Sequence, residues 1–187
     1  LFRSHEKLRS YTYIYPDRSK GQDSTIFWNA EQSAERAAHY ADRGFTGIKF
    51  DPAAPYSAFD PRQPSLESIE LCVKFCKLIR EAVGSKADLL FGTHGQFTAS
   101  GAIRFARKIE PYDPLWFEEP TPPDKPEEMA LVARGTSIPI ATGERLTTKY
   151  EFGRVLENRA ASILQMALGR VGGLMEAKDR KSTRLNS

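Results

Sequence analysis

The residues that could do chemistry gather in one stretch, 115–145, LWFEEPTPPDKPEEMALVARGTSIPIATGER, where two apolar strand-like runs each end in a glutamate and are separated by a short helix-like segment. Glu118 and Glu144 therefore fall at the mouths of adjacent strands, whose backbones run ~4.8 Å apart in a sheet. Two inward-pointing carboxylates at that spacing repel unless one is protonated or a cation sits between them. A hard divalent cation with oxygen preference, above all Mg²⁺, suits the pair. Strand alternation lets only one of Glu118 and Glu119 face inward, and the period alone does not choose. His94, in Gly92-Thr93-His94-Gly95-Gln96 after a third apolar run, is either an acid-base group or a hydrogen-bonded structural histidine. Lys49 and Asp51 are two apart, so at a strand end both point the same way. Such a lysine can act as a base, hold a substrate carboxylate, or form an internal ion pair with a glutamate of a neighbouring strand.

Something must bring these residues onto one face, and the apolar periodicity says what. Strand-like runs at Ser10–Tyr15, Thr46–Phe50, Asp88–Phe91, Leu115–Phe117, Ile138–Ala141 and Ser162–Gln165 alternate with helical patterns at Trp28–Arg43, Ser65–Val83, Thr98–Ile109, Pro126–Arg134 and Thr148–Leu156. A sixth helical pattern begins near Gly172. The loop 51–64 has four prolines with Tyr56 and Phe59, and a loop that long in a compact domain is expected to be functional. Alternation of this kind means a parallel sheet, open or closed. An open sheet concentrates its site at one switch point, whereas here polar groups follow nearly every strand. That distribution predicts an α/β fold of the TIM-type (β/α)8 barrel, with about six βα units present and the closing strands missing. Gly169, Gly172 and Gly173 match no phosphate loop and are expected to serve close helix packing.

Composition narrows the classes. Of the 187 residues, 40% are hydrophobic and 27% charged, as in soluble globular proteins, and no apolar run is long enough to span a bilayer. LFRSHEKLRS lacks a signal-peptide core, so a cytoplasmic location is expected. The last nine residues, DRKSTRLNS, hold three bases against one acid and so supply +2 of the formal +3 charge. The basicity is thus no sign of a nucleic-acid partner. That tail resembles the read-through of a sequencing adapter, and the native barrel segment is expected to be 1–178, with 179–187 a non-native tail. Cys72 and Cys76, one helical turn apart, are expected to be reduced, buried thiols.

Phe117-Glu118-Glu119-Pro120 after a strand, Gly143-Glu144-Arg145 one unit later, and Leu164-Gln165 followed by Gly169, Gly172 and Gly173 together resemble the mandelate racemase branch of the enolase superfamily. His94 before Gly95, and Arg145 after Glu144, look most like sugar-acid dehydratases of the galactonate type. The resemblance implies Mg²⁺ held by Glu118 and Glu144, with abstraction of the proton α to a substrate carboxylate and loss of a β-hydroxyl as water. It makes His94 the acid for the departing hydroxyl, and matches Lys49 to the first lysine of the second-strand motif, as base or substrate anchor. It also implies an N-terminal capping domain, a histidine on a seventh strand, and a homo-oligomeric full-length protein. The sequence departs from the family at three points: Gly92 stands where the first metal ligand is an aspartate, Asp51 where many members have a second lysine, and Ala167 where an aspartate orients the seventh-strand histidine.

The expected activity is a Mg²⁺-dependent sugar-acid dehydratase acting on a small-molecule carboxylate, with no membrane or nucleic-acid partner. Racemisation of 2-hydroxy acids on the same fold, or carboxylate binding without turnover, are the alternatives. The 187-residue chain by itself is expected to be inactive.

Overall fold

The computed structural model describes residues 9–52 and 63–183, with side chains as far as Lys178. Within them, six strands alternate with six helices: β1 (Thr12–Tyr13), α1 (Ala30–Asp42), β2 (Gly47–Phe50), α2 (Leu66–Val83), β3 (Asp88–Gly92), α3 (Ala99–Ile109), β4 (Trp116–Glu118), α4 (Pro126–Gly135), β5 (Ile140–Thr142), α5 (Lys149–Glu157), β6 (Ile163–Leu164) and α6 (Leu174–Thr183). All pairings are parallel and the spatial order is the chain order, β1 to β6. A doubly wound sheet reverses its strand order at the switch point. No reversal occurs here, so the sheet is the arc of a barrel, as the rim of polar residues predicts.

Alternation along each strand separates two layers. Ile48, Phe50, Leu89, Phe91, Phe117 and Ile140 belong to the main core with the helices, where they meet Ile69, Cys76, Phe105 and Met129. Leu90, Trp116 and Ala141 form a second, smaller cluster. Register carries this inner face from Lys49 to Leu90 to Trp116, and one step later from Gly92 to Glu118 to Ala141. Lys49 and Glu118 therefore lie on the inner face at the C-terminal ends of their strands. That settles which of the two consecutive glutamates faces inward.

Helix starts are fixed by side-chain caps on Asn29, Ser65, Thr98 and Thr148, each accepting from a backbone N–H three residues on. Thr148 and Glu151 form a reciprocal capping box, and the backbone N–H of Thr148 is the main reason the Glu151 carboxyl is lowered from 4.5 to about 2. Thr148→Ala is expected to cost about 1 kcal/mol in urea unfolding. Because its folded pKa is depressed, Glu151 contributes stability that is present above about 4.5 and lost as pH falls towards about 2. Glu151→Gln should therefore be less stable than the parent at neutral pH, with the gap closing across that window.

Some expectations need correction. Gly169 and Gly173 have open space where a Cβ would stand, and Gly172 meets only Glu176, so these glycines make the turn into α6 and no helix packs closely on them. The first strand is reduced to Thr12–Tyr13, because Pro16 and the turn after it end the pairing early. Tyr56 and Phe59 of the long loop lie outside the described residues. Cys72 and Cys76 are free and buried, and burial pushes both thiols up, which keeps them unreactive. Among the described residues, no helix is long and apolar enough to cross a membrane.

Candidate active site

The strand ends bring Lys49, Asp51, His94, Glu118 and Glu144 to one rim. Lys49 Nζ donates to Glu118 Oε1 at 2.7 Å, the carboxylate being 2% exposed and the lysine 14%. The internal ion pair foreseen as one reading of Lys49 is thus present, but it skips a strand, since β3 lies between β2 and β4. The lysine side chain passes close over Gly92. A Cβ there would lie 3.2 Å from Lys49 Cε, 3.4 Å from the Phe50 carbonyl oxygen and 3.8 Å from Asp51 Cβ.

His94 is held from the same strand end. Its Nδ1 is 2.9 Å from Asp51 Oδ2, and the hydrogen bond to Asp51 is the main cause of a pKa raised above the ordinary histidine value, against the opposing effect of burial. The ring is 62% exposed, so Nδ1 is anchored while the rest faces the rim. The loop that carries it is stitched to β4. The Thr93 hydroxyl lies 2.7 Å from the Glu118 carbonyl and 2.8 Å from the Glu119 carbonyl, and the Gly95 N–H donates to the Glu119 carbonyl at 2.7 Å.

Glu119 is not part of the rim. It is fully buried, has a left-handed backbone at φ 41°, and accepts from Arg145 Nε at 2.7 Å. Burial raises its pKa and Arg145 pulls it back. Arg145 Nη2 also donates to the His94 carbonyl at 2.9 Å, passing over Gly95, where an added Cβ would meet Nη2 at 2.4 Å. One guanidinium therefore ties the loops after β3, β4 and β5 together.

Glu144 lines a cleft of about 370 Å³ with Glu118, Gln165, Met166, Ala167, Tyr11 and Trp116. A larger cleft of about 890 Å³ sits beyond β1, but its Asp17 and Arg36 are already paired at 3.1 Å. The smaller cleft suits a hard cation in the kind of atom it offers. Glu118 Oε2 and Gln165 Oε1 are buried oxygens without hydrogen-bond partners, and Glu144 is a third oxygen donor. Among the described residues, no group of three or more His, Cys, Asp or Glu side chains is close enough to hold a metal. The cleft lining therefore offers two carboxylates and one amide as oxygen donors, and Gly92 adds none.

Sequence reasoning placed Lys49, His94, Glu118 and Glu144 on one rim, and they are there. It did not find the Asp51–His94 contact or the Arg145 tie. Only the i, i+2 spacing of Lys49 and Asp51 hinted at the first.

Comparison with known proteins agrees with this geometry. A family model described as Enolase C-terminal domain-like matches residues 32–180. D-xylonate dehydratase of Haloferax volcanii is 34% identical over 92% of the chain and 42% of that protein. D-galactonate dehydratase of Ralstonia nicotianae is 32% identical over 91% and 41%. A solved mandelate racemase/muconate lactonizing enzyme structure from Labrenzia alexandrii superposes with a TM-score of 0.90 at 63% identity, covering 98% of the chain and 47% of that structure. One from Burkholderia SAR-1 gives 0.92 at 56%, covering 98% and 45%. The chain belongs to the mandelate racemase/muconate lactonizing enzyme family of the enolase superfamily, on the branch that includes sugar-acid dehydratases of the galactonate type. It spans less than half the length of these relatives.

Proposed function

We propose that the protein to which this barrel segment belongs is a dehydratase of sugar acids, removing the proton α to a carboxylate and expelling the β-hydroxyl as water. The observation that carries the reading is the rim itself, with an anchored histidine beside a buried carboxylate already holding a cationic side chain. The dehydratase names of the relatives support it.

Lys49 presents positive charge where a substrate carboxylate would arrive, so we assign it to anchoring that group. Its proton is shared with Glu118, which argues against use as the base. His94, fixed through Nδ1, turns its Nε2 side to the substrate and protonates the departing hydroxyl. Glu118 and Glu144, with Gln165, would hold Mg²⁺. When bound, Mg²⁺ supplies positive charge against the charge that develops on the substrate carboxylate as the α-proton leaves.

Screening the full-length protein on a library of acid sugars tests the reading. Dehydration gives a 2-keto product that traps with semicarbazide, and racemisation does not. Calorimetric Mg²⁺ titration is expected to show binding that weakens at least about tenfold in Glu118→Gln and in Glu144→Gln. Tight binding unaffected by either change would remove both from the metal site. Gly92, which offers no ligand, favours a second reading in which the site binds a carboxylate without turning it over. Thermal stabilisation by acid sugars with no product from any of them would select that reading.

A further inference from the structure

Two side chains at the C-terminal end of β2 lie beside Gly92, and each ends on a different partner. Lys49 reaches Glu118 on β4, while Asp51 reaches His94 in the loop after β3. We propose that Asp51 is the positioning residue for His94, so that Asp51 and His94 form the proton-transfer dyad of this site. This rests on the dehydratase reading.

Geometry carries the proposal. Asp51 is only 13% exposed, its Oδ2 is 2.9 Å from His94 Nδ1, and among the described residues its buried Oδ1 has no hydrogen-bond partner, so the carboxylate is directed to the imidazole. A carboxylate on Nδ1 fixes the tautomer and ring orientation and favours the imidazolium, which leaves Nε2–H as the donor. A Cβ at position 92 would stand in ordinary contact with Asp51 Cβ at 3.8 Å and closer than that to Lys49 Cε at 3.2 Å, so a side chain there would press on the lysine and leave the Asp51–His94 contact in place. The charged groups facing His94 are Asp51 and Lys49 at the end of β2, and Glu144 and Arg145 after β5, the last donating to the His94 carbonyl.

In the reaction, the α-proton passes to a general base and the C–H electron pair becomes the new double bond to the β-carbon. The β-carbon–oxygen bond breaks with its pair, and the proton from Nε2 converts the departing hydroxyl to water. His94 is left neutral, still held through Nδ1, and is reprotonated from solvent. No oxidant or reductant is needed.

The test uses full-length protein and two readouts. The first is NMR titration of the His94 ring, assigned by loss of its signal in His94→Gln. In Asp51→Asn its midpoint is expected to move down from the wild-type value, and in Asp51→Glu to stay above that of Asp51→Asn. The second is the pH profile of turnover on the acid sugar found by screening. An acid that must be protonated loses activity as pH rises through its pKa, so in Asp51→Asn this fall should begin at lower pH. Its kcat should drop about 100-fold with KM changed less than about threefold, and Asp51→Glu should restore part of the loss. An unmoved His94 titration in Asp51→Asn overturns the dyad even if the enzyme is a dehydratase. A moved titration with no turnover by the wild type on any acid sugar overturns the dehydratase reading, and with it the catalytic role of the pair, while leaving the Asp51–His94 contact established.

Discussion

Lys49→Met is expected to lower the unfolding free energy by about 3 kcal/mol, the cost of leaving a buried carboxylate without its partner. Glu118 is 2% exposed, its Oε2 has no hydrogen-bond partner, and its Oε1 is satisfied by Lys49 Nζ at 2.7 Å. Methionine keeps much of the lysine's apolar length over Gly92 but removes the ammonium, so both carboxylate oxygens would be left without a donor. Methionine therefore isolates charge from packing. The double variant Lys49→Met/Glu118→Gln should recover most of the loss, since a neutral amide replaces the stranded charge. Lysine and metal also draw on the same carboxylate. Saturating Mg²⁺ should therefore stabilise Lys49→Met more than the parent, by mass action on the folded state. Urea unfolding with and without Mg²⁺ reads both effects. A single variant as stable as the parent would mean the pair contributes nothing to the fold.

That pair shows how far the sequence could be read. The alternation of strands and helices was legible because the two periodicities are local, and the rim followed from it, since residues just past the strand ends of a parallel barrel share one face. Which of Glu118 and Glu119 faced inward was not legible. It depends on the register that places Glu118 beside Gly92 and Ala141, and on the left-handed turn at Glu119 that hands the second carboxylate to Arg145. Gly92 read as a departure from the family's ligand pattern, whereas its closeness to the Lys49 side chain depends on a crossing between non-adjacent strands. No spacing in the chain encodes that crossing. Gly169, Gly172 and Gly173 misled for the opposite reason, because small residues near a helix start suit either a turn or a tight packing, and only the open space around them decides.

Arg145→Met should be more damaging still at neutral pH, by about 4 kcal/mol, and its cost should depend on pH. Glu119 is fully buried, its Oε1 has no partner, and Oε2 has only the guanidinium at 2.7 Å. Burial already raises its carboxyl above 4.5, with Arg145 as the opposing influence. For an acid raised in the folded state, the unfolded chain gives up its proton first. Stability is therefore full below about 4.5 and falls as pH rises towards the folded value. Removing Arg145 lifts that folded value further and extends the fall to higher pH. The deficit of Arg145→Met relative to the parent should consequently be small near pH 5 and grow towards pH 8. Urea curves at the two pH values measure it, and a deficit independent of pH would mean that lost packing, not the stranded charge, sets the cost. Glu119→Gln in the same background should flatten the pH dependence without restoring the tie from Arg145 to the His94 carbonyl. The two jobs of this guanidinium, neutralising a buried acid and holding the His94 loop, separate in that double variant: stability returns, and the tie to the His94 carbonyl stays broken.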